Sequence, residues 1–225
     1  MSSWDKRLIS ILTSIVVLII PLLSLFPQEY VEQGRFSIYF REKEVGYESY
    51  TWKEDSKGYY LEISGRITEP VRLEITKLVI RLDKSFIPSG FYLKGRISGV
   101  SQEVSTVIQD GMVENEIKIA DQKRKSKTQV RRNAFLLPTA VYSPFMVITK
   151  KFGCGLEEQK ELAAYIIPQL EVHFTLEPLE GEPCALLMMM NGIEIELETD
   201  EKGNLNSITI PSQQLRIIRT SLPVP

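Results

Sequence analysis

The sequence predicts a mainly β fold: a curved antiparallel meander, or half-barrel, holding one short buried helix and preceded by an N-terminal transmembrane helix. Three observations predict it. From Arg35 onward apolar residues alternate with polar ones, the period of a strand with one wet face. Turn signals rich in Gly, Asn and Asp separate these runs at short intervals. Ahead of them lies one long stretch with no charge at all. Composition is compatible with this. A chain of 225 residues is long enough for one main domain with a sizeable core. With 27 Lys and Arg against 29 Asp and Glu, the net charge of -2 provides no basic field for nucleic acid, so no nucleic-acid partner is expected.

Leu8 to Gln28 form the uncharged stretch, 21 residues, which at about 1.5 Å per residue cover the roughly 30 Å hydrocarbon core of a bilayer. Lys6 and Arg7 precede it and Glu29 and Glu32 follow, so the positive-inside bias places the N-terminus in the cytoplasm. A cleaved signal peptide is disfavoured because its apolar core is shorter and ends at small residues, whereas this stretch exits through Leu25, Phe26 and Pro27. The expected organisation is a cytoplasmic stub and anchor over 1–28, a linker over 29–34, an extracytoplasmic β domain over 35–220 and a tail over 221–225. The address is the inner (cytoplasmic) membrane, single-pass, with the C-terminal domain in the periplasm.

Within the body, Phe36, Ile38 and Phe40 share one side of the first run. Tyr59, Leu61 and Ile63 do so in another, Val113, Asn115, Ile117 and Ile119 in a later one, and Leu170, Val172, Phe174 and Leu176 in a fourth. Glu62, Glu114, Glu116, Lys118, Glu171 and Glu177 stand opposite. Between Val71 and Leu82 the phase changes, which predicts a bulge near Thr76 and Lys77. Turns are expected at Asp55 to Gly58, Pro88 to Gly90, Asp110-Gly111, Asn191-Gly192 and Lys202 to Asn204, and about ten strands in series must curl rather than lie flat. Glu194, Glu196 and Glu198 occupy every second position opposite Ile193, Ile195 and Leu197, as on the wet face of a strand. From Lys160 to Ile167 a strand is expected.

The alternation breaks once. Ser143 suits an N-cap, Pro144 the first helical position, Lys150 and Lys151 the last turn, and Gly153 the stop. The resulting helix, about nine residues long, is apolar almost all round and must be buried. It is expected to plug the concave face of the sheet.

The sequence holds little that suggests chemistry. Its one histidine, His173, falls on the polar side of its run; no nucleophile elbow, phosphate loop or dinucleotide fingerprint occurs. No metal site and no cofactor is implied, and no enzyme is expected. Cys154 and Cys184, thirty positions apart, are either one disulfide or two buried thiols. Lys123, Arg124, Lys125 and Lys127 form the one dense basic run, read either as a solvated hairpin loop or as a contact with anionic lipid or an acidic partner. Met188 to Met190 suit core filling or the lining of an apolar cavity.

The segments Glu44 to Tyr50, Asn133 to Pro138 and Glu198 to Leu205 resemble a group of uncharacterised bacterial envelope proteins, and the order of elements is similar to the lipoprotein-carrier (Lol-type) half-barrels. A single-pass tether with a β-jellyroll, as in lipopolysaccharide-transport bridges, is similar in layout. The carrier likeness implies a curved sheet wrapped round short helices and an apolar cavity. Phe145, Ile148 and Phe152, spaced three and four apart, share one stripe of the helix and are expected to line it together with Met188 or Met190 and the inward residues Phe174 and Leu176. The expected function is therefore a membrane-tethered binding protein for an apolar or lipid-like ligand. The alternative is a structural or adaptor subunit of an envelope complex with a filled core, and the third reading is a hydrolase using surface carboxylates.

Overall fold

The computed structural model describes residues 30–220 apart from Gln169 and Pro183. Strands β1 (Tyr30–Phe40), β2 (Lys43–Glu54), β3 (Tyr59–Ile67), β4 (Leu73–Leu82), β5 (Pro88–Ile97), β6 (Val100–Gln109), β7 (Met112–Ile119) and β8 (Gln122–Gln129) come first. Next come β9 (Phe135–Pro138) and the helix α1 (Phe145–Phe152). The chain continues with β10 (Lys160–Ile167), β11 (Leu170–Pro178), β12 (Ala185–Met190), β13 (Ile193–Thr199), β14 (Leu205–Ile210) and β15 (Leu215–Thr220).

All fifteen strands belong to one sheet, in the order β8-β7-β6-β5-β4-β3-β2-β1-β15-β14-β13-β12-β11-β10-β9. The first and last strands meet in its middle, antiparallel, with Phe36 opposite Arg219 and Phe40 opposite Leu215. β9 joins β10 in parallel. So many twisted strands cannot stay flat, and the open sheet curves until its halves touch: Asn115 on β7 donates to the Tyr165 hydroxyl on β10 at 2.8 Å. Register shifts at Ile63/Gly65 and Ile75/Lys77 let the phase change along β4, as the sequence predicts near Thr76.

The concave face carries the core. Phe36, Ile38, Trp52, Leu61, Ile63, Leu78, Ile80, Leu176, Leu197 and Ile217, drawn from both halves of the sheet, join the buried face of α1 in one continuous cluster. Mainly β architecture with one short buried helix thus agrees with the sequence reading, and β10 runs from Lys160 to Ile167 as expected.

Four details differ. β1 begins at Tyr30, so residues 30–34, expected as linker, are already strand; Glu32 and Gly34 are buried in phase with Phe36 and Ile38. Fifteen strands replace ten because β9, β12, β14 and β15 are only 4 to 6 residues long and β8 has no apolar residue to show a period. Pro88 to Gly90 open β5 instead of forming a turn; the turn lies at Asp83 to Ile87, where the Asp83 carboxylate accepts from the N–H groups of Ser85 and Ile87. The helix is 8 residues long, with Pro144 at its N-cap and no side-chain cap. Ser143 does not cap it because its hydroxyl is committed to Glu48. The anchor expected over Leu8 to Gln28 lies outside the described residues, as does the tail over 221–225, and among the described residues no helix is long and apolar enough to cross a membrane.

Candidate functional site

The helix inside the curve is the centre of the candidate site, and both of its ends are fastened to the sheet. At its N-terminal end the fully buried Glu48 carboxylate projects from β2. It accepts from the Tyr142 N–H at 3.0 Å, the Ser143 N–H at 2.7 Å and the Ser143 hydroxyl at 2.5 Å. These donors lie just ahead of the helix, whose own first N–H groups, those of Phe145, Met146 and Val147, bond to the carbonyls of Tyr142, Ser143 and Pro144, so Glu48 fixes the turn that leads into α1. Burial pushes the Glu48 carboxyl above its ordinary value of 4.5, against the lowering effect of the three donors. Burial, followed by the nearby Glu48 charge, also pushes the Tyr142 phenol up to about 12.

At the C-terminal end Lys150 donates to Glu32 of β1 at 2.7 Å and to Asn204 of the β13–β14 turn. Glu32 also receives Arg219 at 2.9 Å and the Tyr50 hydroxyl at 3.1 Å. Its side chain is only 8% exposed, so this is an enclosed ion-pair network rather than a surface pair. Gly34 makes it possible, since a Cβ there would strike the Tyr50 ring. Gly203 plays the same part at the turn: at a φ of +75 it brings the backbone so close that a Cβ would lie 2.7 Å from the Thr149 carbonyl oxygen.

Just past the helix, Cys154 and Cys184 form a disulfide that ties the end of α1 to the segment before β12. By loop-closure entropy a cross-link over 30 residues contributes about 3–4 kcal/mol. Reduction should therefore lower the free energy of unfolding, read from the urea transition, by that amount, and Cys154→Ala with Cys184→Ala should reproduce the loss and abolish the response to reductant.

Between its two ends, the helix lies against the residues expected to line a cavity. Phe145, Ile148, Phe174, Leu176 and Met188 are all buried in the single core cluster, and Phe152 and Met190 pack against it half-buried. Phe174 lies opposite Met190 and Leu176 opposite Met188 across the β11–β12 ladder, while Phe135 contacts both Phe152 and Phe174. All seven thus belong to, or pack against, the same apolar cluster.

A polar seam closes the curve on the far side. Thr106 donates to Asn115 at 2.8 Å, and Asn115 in turn donates to Tyr165 and to Ser126. No buried side-chain polar atom among the described residues lacks a partner.

The basic run is neither loop nor core. It is β8, an edge strand whose residues are exposed or nearly so. Lys123 and Lys125 reach Glu116 at 2.6 and 3.6 Å, and Lys127 reaches Glu114 at 2.6 Å. These lysines hold the Glu114 and Glu116 carboxyls below their ordinary value, chiefly by hydrogen bonds from Lys127 and Lys123 respectively. Arg124 lies opposite Ile117 in the β7–β8 register. His173 is exposed on β11, 3.7 Å from Glu171.

No family model matches the chain, and no curated protein matches it. Among solved structures, the fold is similar to the crystal structure of a DUF1089 family protein from Pseudomonas aeruginosa, at 11% identity and a TM-score of 0.44, over 79% of this chain and 90% of that one.

Glu48, Glu32 and Lys150 are the site residues that the sequence reading missed. A signal was present: Glu48 stands in phase with Tyr50 and Trp52, and Glu32 in phase with Phe36 and Ile38, so each is a charge where alternation demands an apolar residue. Chemically, these groups are saturated with hydrogen bonds from the protein itself. Among the described residues no group of three or more His, Cys, Asp or Glu is placed to hold a metal.

Proposed function

We propose that the protein is a membrane-tethered, non-catalytic adaptor of the bacterial envelope, which presents the outer surface and edge of a filled β half-barrel to a partner. The burial of the interior carries this reading. Phe145, Ile148, Phe174, Leu176 and Met188 are buried in one continuous apolar cluster with residues of the sheet, which supports a core that packs on itself rather than a ligand-holding space. The membrane tether is the uncharged stretch from Leu8 to Gln28.

A Lol-type carrier of an apolar or lipid-like ligand is the second reading. Its support is that α1 presents apolar groups nearly all round, with Phe152 and Met190 half-buried at the margin of the cluster, so that a displaced helix would open an apolar surface. A photoreactive fatty acid tests the choice. With the full chain in lipid nanodiscs, crosslinks confined to residues before Tyr30 are expected for the adaptor. Crosslinks at Phe145, Phe152 or Met190 would replace it by the carrier.

A further inference from the structure

We propose that the open edge of β8 is a strand-addition site for an extended acidic segment of a partner protein; this rests on the adaptor reading and names the chemistry of its partner. The sheet has two terminal strands, β8 and β9. All four residues of β9 are buried, whereas β8 lies open to solvent.

Backbone parity decides what the open edge offers. In an antiparallel ladder, residues alternately bond to the neighbouring strand and point away from it. Val130 N–H donates to Gly111 O at 2.8 Å and Ala120 N–H to Ser101 O at 3.0 Å. With the uninterrupted register from Met112 opposite Gln129 to Ile119 opposite Gln122, these bonds assign Gln122, Arg124, Ser126 and Thr128 to β7. The N–H and C=O groups of Lys123, Lys125 and Lys127 therefore face outward, at every second residue, the spacing that an added strand uses.

Side chains select the occupant. The three lysines and Lys118, opposite Lys123, share one face of the sheet with the carboxylates Glu114 and Glu116 and, one strand further in, Glu103, which accepts from Tyr92; Lys123, Lys125 and Lys127 remain 56 to 75% exposed. An incoming strand with Asp or Glu at alternate positions would place carboxylates beside them and continue the cross-strand pairing that Glu114 and Glu116 begin. A second copy of β8 would set lysine against lysine, and a neutral apolar strand would meet the charges by which sheet edges repel aggregation. A bare lysine edge serves only that protective end; here its outward backbone and unbalanced cations together fit an acidic strand.

The test uses the full chain in nanodiscs of neutral lipid and a fluorescent peptide alternating Glu with Thr, read by anisotropy. Saturable binding that weakens with salt is expected, and none for a peptide alternating Lys with Thr. Lys125→Pro removes an outward N–H without touching the β7 ladder, since proline is tolerated at such edge positions. It should weaken the acidic peptide by about tenfold or more, through the loss of one backbone hydrogen bond together with the Lys125 ammonium, and leave the melting temperature unchanged. Joint reversal of Lys123, Lys125 and Lys127 to Glu should exchange the two peptides' affinities. Wild-type protein that ignores the acidic peptide would overturn the proposal and leave β8 a protected edge. Equal binding by wild type and Lys125→Pro, with anionic phosphatidylglycerol vesicles competing, would overturn it in favour of a charge contact with lipid. Neither result bears on the fatty-acid crosslinks, so strand addition can fail while the adaptor reading stands.

Discussion

Replacing Glu48 by alanine should lower the free energy of unfolding by about 3–5 kcal/mol, because it removes the one acceptor shared by three donors and leaves a gap where the carboxyl group lay. Three donors, the N–H groups of Tyr142 and Ser143 and the Ser143 hydroxyl, converge on this one buried carboxylate, with Ser143 as fully buried as Glu48 and Tyr142 half-buried. Removing it strands all of them at the point where the chain turns into the helix, and each buried unpaired group costs about 1–3 kcal/mol. Glu48→Gln keeps the volume and one acceptor, and its loss should be about 1–2 kcal/mol. The pair also yields a pH signature. Burial raises the Glu48 carboxyl in the folded protein above the 4.5 it has when exposed, so the folded state holds its proton more tightly than the unfolded state. Its contribution is then complete below 4.5 and is lost as pH rises through the raised folded value. Protonation is compatible with the geometry, because the Ser143 hydroxyl can turn from donor to acceptor at the same separation. Urea midpoints followed from acid to neutrality should fall in wild type relative to Glu48→Gln. A parallel course for the two proteins would show that Glu48 is ionised throughout.

Glu48 also marks where a sequence can be read and where it cannot. Alternation in β3, β7, β11 and β13 is legible because each strand has one wet and one buried face, and that requirement acts residue by residue. The bulge near Thr76 is legible for the same reason, since a phase change has no other local cause. What alternation cannot show is how far the sheet curls, because that depends on which distant faces meet. Asn115 and Tyr165 are 50 positions apart, and Glu48 and Ser143 are 95 apart. Neither residue of either pair carries a local sign of its partner. The seven apolar residues expected around a cavity lie in or against the buried cluster, since hydrophobic spacing identifies an inward face. Whether that face encloses a space or fills one depends on the volumes of side chains from many strands, which no single segment encodes. The basic run was legible as charge but not as strand, because an edge strand wet on both faces has no apolar period.

The largest expected effect belongs to the helix itself. Ile148→Ser should destabilise the protein by about 4–6 kcal/mol, from deleting buried methyl and methylene groups and from placing a hydroxyl in their cavity. Ile148 is fully buried, as are Met146 and Thr149 on the same helix, with Val147 nearly so. The ends of α1 are fixed by Glu48, by Lys150 with Glu32, and by the disulfide just beyond. With both ends held, the helix cannot settle into the gap as a free element would, and most of the cavity should persist. A plug built for stability therefore predicts a large fall in the urea midpoint and no gain or loss of apolar-probe binding. A gate predicts something different: its closed form must be only a few kcal/mol better than its open form, or ligand could not displace it. Weakening the closed form would then make the open one accessible, and Ile148→Ser would bind an apolar dye that wild type excludes while the β sheet still melts cooperatively. Probe binding by Ile148→Ser at temperatures well below its own melting transition, together with wild-type-like β circular dichroism, would return the interior to the carrier reading. Loss of both signals together identifies α1 as part of the core.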